Sequence, residues 1–197
     1  MSQTVAAARR PGAFVPFKLD ERSLGVKATA VLLGTLFLAA SSWVEVPMVP
    51  VPVTMQTFAV TLVGALMGWR LGGITIMAWF AEAAVGFPVL AGGAGGLAHF
   101  AGPTGGYLFA FIVAAMAVGW CAERGWTRGN VFSAFAVMLG ANALILAIGA
   151  SWLAMLIGAE AAITAGVTPF IVGAVLKSAL AVATIEAGFK LKRAKRG

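Results

Sequence analysis

A chain of 197 residues with 60% apolar and 11% charged side chains, and a mean hydropathy of +0.95, has too little polar surface to cover a soluble domain. In such domains about a quarter of residues are charged. The net charge of +7 does not point to nucleic acid, because the cations gather at the chain ends and in short breaks instead of forming a stripe. The single cysteine, Cys121, excludes an intramolecular disulfide and a cysteine-based metal site.

Residues 1–27 form a basic, polar segment. Basic residues, an apolar run and Ala39-Ala-Ser-Ser42 are also ingredients of a secretory signal, but this polar segment is long for one. The run is therefore read as a retained span. Six apolar runs follow in order, at 28–44, 54–69, 72–90, 104–122, 131–157 and 167–189. Each is near the roughly 20 residues that cross about 30 Å of hydrocarbon. The second is short. The fifth is long enough to tilt, or to hold an extra turn near Gly149-Ala-Ser-Trp152. The expected fold is an all-α integral membrane protein: a six-helix membrane domain over 28–189, with a basic tail over 190–197.

Cation placement sets the orientation. Before the first run lie Arg9, Arg10, Lys18, Arg22 and Lys27, and the breaks then hold none, Arg70, none, Arg124 with Arg128, and none. Lys190, Lys192, Arg193, Lys195 and Arg196 follow the last run. This alternation places both termini in the cytoplasm, as in a multi-pass protein of the inner (plasma) membrane.

The external breaks differ in kind from the cytoplasmic ones. Val46-Pro-Met-Val-Pro-Val-Pro-Val53 is extended and short of backbone donors. The break from Gly86 to Tyr107 is rich in Gly and apolar. Irregular backbone near a membrane is tolerated where protein buries it or water bathes it. An apolar Gly-rich loop thus reads as a lid over a cavity, with bare N–H groups able to bind a small polar ligand; the bland alternative is a plain connector.

Catalytic and cofactor motifs are missing. Gly173-Ala-Val-Leu-Lys177-Ser178 lacks the Gly before Lys and the preceding strand of a phosphate loop, so no ATP hydrolysis is expected of this chain. One histidine, His99, cannot supply a zinc site and reads as an interfacial loop residue. No cofactor is implied.

Lys177 is the exception among the cations, since it lies inside the last run. At bilayer depth a Lys costs roughly 2.5–3.5 kcal/mol on insertion scales. It sits about 12 Å along a helix from Pro169, and its helical neighbours Gly173, Ala174 and Ala181 are small. That leaves room for an anionic ligand beside the ammonium; a structural Lys–Glu bridge is the alternative, with Glu82 as counter-ion. Glu186 is close enough to the basic tail to pair there. Gln56, Asn142 and Tyr107 complete a sparse polar set. Intramembrane amides bond across helices as readily as they bind ligands, so Gln56 and Asn142 are open between those roles. Together the set suits a small, partly apolar molecule with a carboxylate or ureido-like head.

Several segments resemble one family. Val51-Pro-Val-Thr-Met-Gln-Thr-Phe-Ala-Val60 with Gly64-Ala-Leu-Met-Gly68 is similar to the start of BioY, the biotin-specific substrate-capture (S) component of energy-coupling-factor (ECF) vitamin transporters. Gly86-Phe-Pro-Val-Leu-Ala-Gly-Gly-Ala-Gly-Gly-Leu-Ala98, Gly102-Pro-Thr-Gly-Gly-Tyr107, Gly149-Ala-Ser-Trp-Leu-Ala154 and Pro169-Phe-Ile-Val-Gly-Ala-Val-Leu-Lys177 resemble further family motifs, in order along nearly the whole chain. The resemblance implies six helices and capture of biotin from outside. It also implies partnership with a membrane coupling protein and two ABC-type ATPases, although some members are reported without dedicated ATPases. Gln56, the Gly92–Gly93 backbone, Tyr107, Asn142 and Lys177 become candidate biotin contacts.

Two positions depart from the family pattern. Ala174 stands where an Asp is common, three residues before Lys177, and Leu146 replaces a usual Tyr. Two rival functions share the residues: an S component for a different vitamin, and a small intramembrane enzyme using Glu82 and Lys177 as acid and base. Ala30 and Gly34 make a small-x-x-x-small pair that could pack on a partner helix.

Overall fold

The computed structural model describes residues 22–194. Arg9, Arg10 and Lys18 of the basic N-terminal segment, and Lys195 and Arg196 of the tail, lie outside the described residues, as do the side chains of residues 192 and 193. Chain order is α1 (Leu24–Trp43), β1 (Glu45–Val46), β2 (Val53–Thr54), α2 (Gln56–Ala84), a 3-10 turn at Ala91–Gly93, α3 (Ala98–Ala101), α4 (Gly105–Glu123), α5 (Val131–Ile157), α6 (Ala159–Gly166) and α7 (Phe170–Ala194).

The Pro-rich break closes into a hairpin. β1 and β2 are antiparallel, with Glu45 opposite Thr54 and Val46 opposite Val53. Pro47, Pro50 and Pro52 have no N–H to donate, and pairing among the described residues stops after two residues a side. At its base the Met55 N–H donates to the Val44 carbonyl at 3.0 Å.

Among the described residues, five helices are long and apolar enough to cross a membrane: α1, α2, α4, α5 and Phe170–Leu191 of α7. Most of the second and third predicted runs lies within α2, which ends at Ala84, short of the third run's expected end, and is broken at Gly68 (φ 80, ψ 175). That backbone region is accessible essentially to Gly alone. The chain folds back there. A Cβ on Gly72 would stand 3.2 Å from the Gly64 Cα, whereas residues eight apart in a straight helix are separated by about 12 Å. Glu123, at the end of α4, accepts from the Trp69 N–H at 3.0 Å and satisfies a donor that the renewed helix start leaves open.

The fifth run keeps its expected bounds as α5, without the extra turn that was one of its two expected forms. α5 continues unbroken through 149–152, and the break comes at Gly158 (φ 86), where α6 begins. Gly149 does not bend the helix. It makes room for Tyr107, whose ring a Cβ there would overlap.

Small residues set the packing of the central α2 and α4. A Cβ on Gly64 would overlap the Ala115 carbonyl, and one on Gly119 would overlap the Trp69 N. Such contacts hold helices together where water supplies no hydrophobic drive between them. Gly34 is used within the bundle as well, since its Cβ would stand 2.6 Å from Thr75 Cγ2. The outer faces stay apolar: Leu32, Leu33 and Leu36 on α1, and Val172 and Leu176 on α7, are exposed. Those faces suit lipid better than water.

Candidate functional site

One end of the bundle gathers the hairpin, the Gly-rich loop 85–104 and α6. Three indoles pin the loop: Trp43 donates to the Pro88 carbonyl, Trp79 to Val89 and Trp152 to Gly102, each at 3.0 Å. Within it Gly92 and Gly93 take φ 64 and 72, a left-handed conformation that costs Gly little. The turn they form brings the Leu90 N–H to the Ala94 carbonyl at 3.0 Å.

These segments meet over a cavity of about 270 Å³. Val51 and Thr54 of the hairpin line it with Gln56 of α2, while the loop supplies Ala91, Ala94 and His99. The helices contribute Tyr107 and Phe111, Ile145 and Leu146, and Phe170 and Lys177. A mostly apolar chamber with a few converging polar groups is the usual form of a small-molecule site. Leu146 keeps this wall apolar.

The polar groups are held in a defined order. Lys177, 7% exposed, donates from Nζ to the Thr54 carbonyl at 2.9 Å. An ammonium has three protons to donate, so two are left over from this bond. Beside it the Gly173 face is open enough that an added Cβ would sit 3.5 Å from Lys177 Cε. Ala174 offers no carboxylate, and its carbonyl accepts from the Ser178 hydroxyl at 2.7 Å. Gln56 Oε1 accepts from the Thr54 hydroxyl at 3.0 Å, and Gln56 Nε2 donates to the Ser42 hydroxyl at 3.0 Å. The Tyr107 hydroxyl donates to the Gly166 carbonyl at 2.8 Å, and its ring stacks on Phe170 with centroids 6.3 Å apart.

The predicted residues divide between the cavity and its surroundings. Gln56, Tyr107 and Lys177 come together in the lining. Gly92 and Gly93 stand just outside, and the flanking Ala91 and Ala94 reach it instead. Asn142 is buried behind the wall, donating to the Met138 carbonyl at 3.0 Å and to the Ser178 hydroxyl at 3.2 Å, which ties α5 to α7. Glu82 is half-buried and also outside the lining, while the ammonium turns to a backbone carbonyl. His99, read from sequence as an interfacial loop residue, lines the cavity. Sequence reasoning passed over Thr54 and Ser42, because a hydroxyl residue at a helix boundary or in an apolar run carries no distinguishing signal. Thr54's place two residues before Gln56 was the only hint. Among the described residues no group of three His, Cys, Asp or Glu side chains could hold a metal ion.

A family model described as the BioY family matches residues 17–194. The chain belongs to the BioY family. Its relatives include a probable biotin transporter BioY of Pyrococcus horikoshii, 40% identical over 82% of this chain and 96% of that one. Biotin transporter BioY2 of Lactococcus lactis subsp. cremoris is 32% identical over 77% of this chain and 84% of its own. Among solved structures, the S-component for biotin from an ECF-type ABC transporter has a TM-score of 0.74 at 27% identity, with 86% of this chain and 95% of that chain covered. This BioY chain is therefore a multi-pass membrane protein of the S-component fold.

Proposed function

We propose that the protein takes up biotin, capturing it from the external side as the S component of an ECF transporter. The observation that carries the reading is Lys177: a buried ammonium with two donors to spare, set in an apolar cavity. Biotin combines an apolar chain with a carboxylate, and that carboxylate is the counter-ion which Ala174 does not provide. The remaining amide proton of Gln56 adds a second donor nearby, and Tyr107 offers its ring face. Gly92 and Gly93 act by shaping the turn that presents Ala91 and Ala94. Asn142 acts through Ser178, holding α7 in register beside α5.

The halves of α2 count as separate crossings in this reading, supported by the reversal at Gly68. With six crossings both termini share one side. The cation alternation makes that side the cytoplasm, in the inner (plasma) membrane. Residues 28–189 then form the membrane domain between two basic segments. A membrane coupling protein and two ABC-type ATPases supply the energy, and co-purification from the native membrane decides whether they are recruited or the protein works alone. The rival reading as an acid–base enzyme is not favoured, because Glu82 stands outside the cavity and the named relatives are transporters.

Isothermal titration of the purified protein tests the assignment. Biotin is expected to bind with a sub-micromolar Kd, to resist competition by thiamin, riboflavin and lipoate, and to be recovered unchanged. A well-folded preparation that ignores biotin would overturn it, and tight binding of another vitamin would reassign the substrate.

A further inference from the structure

Resting on the biotin-capture reading, we infer that Thr54 is a positioning residue, through which the hairpin sets Gln56 and Lys177, two of the polar groups that line the cavity. Three bonds converge on it, one at its carbonyl and two at its hydroxyl. Its carbonyl accepts from Lys177 Nζ at 2.9 Å, 123 residues away in the chain. Its hydroxyl donates to Gln56 Oε1 at 3.0 Å and accepts from the Gln56 backbone N–H at 3.2 Å. Ser42, Thr54, Gln56 and Lys177 are all buried, where a polar group without a partner is costly.

Hydroxyl valence makes the arrangement directional. Ser42 has one proton, and it goes to the Leu38 carbonyl at 2.8 Å. Ser42 can therefore only accept from Gln56, which orients Nε2 toward it and Oε1 toward Thr54. The amide cannot flip without placing two acceptors, Oε1 and the Ser42 oxygen, face to face. One Nε2 proton is left over, and its direction is set before any ligand arrives. Preorganisation of this kind raises affinity by removing the ordering that binding would otherwise require. Without the Thr54 hydroxyl, Gln56 loses the partner of Oε1 while the carbonyl continues to hold Lys177.

Thr54→Val tests this, since it removes the hydroxyl but keeps side-chain shape and backbone carbonyl. The expected result is a loss of about tenfold in biotin affinity, the scale of one buried hydrogen bond and the freedom it restrains. Thr54→Ser is expected to bind within a few-fold of the unaltered protein. The decisive readout is a double-mutant cycle with Gln56→Ala. A residue acting through Gln56 has no further effect once Gln56 is gone, whereas a merely structural one weakens binding equally in both backgrounds. Ser42→Ala, outside the cavity lining, is expected to weaken binding in the same direction and to fall silent in the Gln56→Ala background. It serves in place of Thr54→Val should that variant not fold. Unchanged affinity in Thr54→Val, or an effect that persists without Gln56, overturns the inference. Failure of the unaltered protein to bind biotin overturns the assignment above and this inference with it.

Discussion

The Tyr107 hydroxyl meets the Gly166 carbonyl at 2.8 Å across 59 residues of chain, joining α4 to the last residue of α6. The chain's single tyrosine is also the residue around which two glycines are packed. A Cβ on Gly149 would overlap its ring, and one on Gly166 would overlap its hydroxyl. α4, α5 and α6 thus meet at one side chain that also lines the cavity.

Tyr107→Phe keeps the ring and leaves the Gly166 carbonyl without this donor. The expected cost is about 1–2 kcal/mol of stability, read as a lowered melting temperature in detergent. Biotin affinity, measured on the same preparation, is expected to fall by less than tenfold because the stacking on Phe170 survives.

Two glycines of α5 are expected to respond in opposite ways. Gly149→Ala forces Tyr107 aside, and overpacking of that order costs about 1–3 kcal/mol. Gly140→Ala meets nothing within 4 Å and adds helix propensity, so its melting temperature is expected to stay level or rise. Equal behaviour of the two variants would contradict the packing described for Tyr107.

Lys177→Ala is expected to abolish high-affinity biotin binding while the protein still folds, because the ammonium's bond in this structure is to a carbonyl of the hairpin. Titration calorimetry, with gel filtration as the folding control, gives the answer. Unaltered binding would place the site elsewhere.

At the opposite end of the bundle, Gly68→Ala would put a Cβ at φ 80 and ψ 175, a conformation that costs about 1–3 kcal/mol. Glu123→Ala removes the acceptor of the Trp69 N–H, at a cost of about 1 kcal/mol by analogy with a lost helix cap. Both should lower the melting temperature and leave biotin affinity nearly unchanged, since neither residue lines the cavity.

Much of the fold was legible because membrane insertion depends on local properties of the chain. Apolar length marks the spans, proline and glycine mark where they stop, and cations mark one side. Gly68 and Gly149 show the limit of that reading. Both are glycines in apolar helices, yet one reverses the chain and the other only accommodates a ring. Arg70 marks a break beside Gly68, but nothing local says that Gly149 leaves its helix straight, because that depends on what packs against it. The intramembrane amides show the same limit. Gln56 reached the cavity, while Asn142 was taken up by Ser178, 36 residues further along the chain.

By itself the sequence determined that this is a membrane chain, where its apolar runs lie, and that Lys177 is a cation in need of a partner. Those conclusions follow from transfer costs that each segment carries alone. Only the tertiary structure decided who that partner is. Glu82, the counter-ion that the sequence offered, stands outside the cavity, and the ammonium bonds to the Thr54 carbonyl instead. Every residue has such a carbonyl, so no sequence pattern marks the one that will be used. That choice is made when the hairpin closes over the last helix and brings one backbone acceptor within reach.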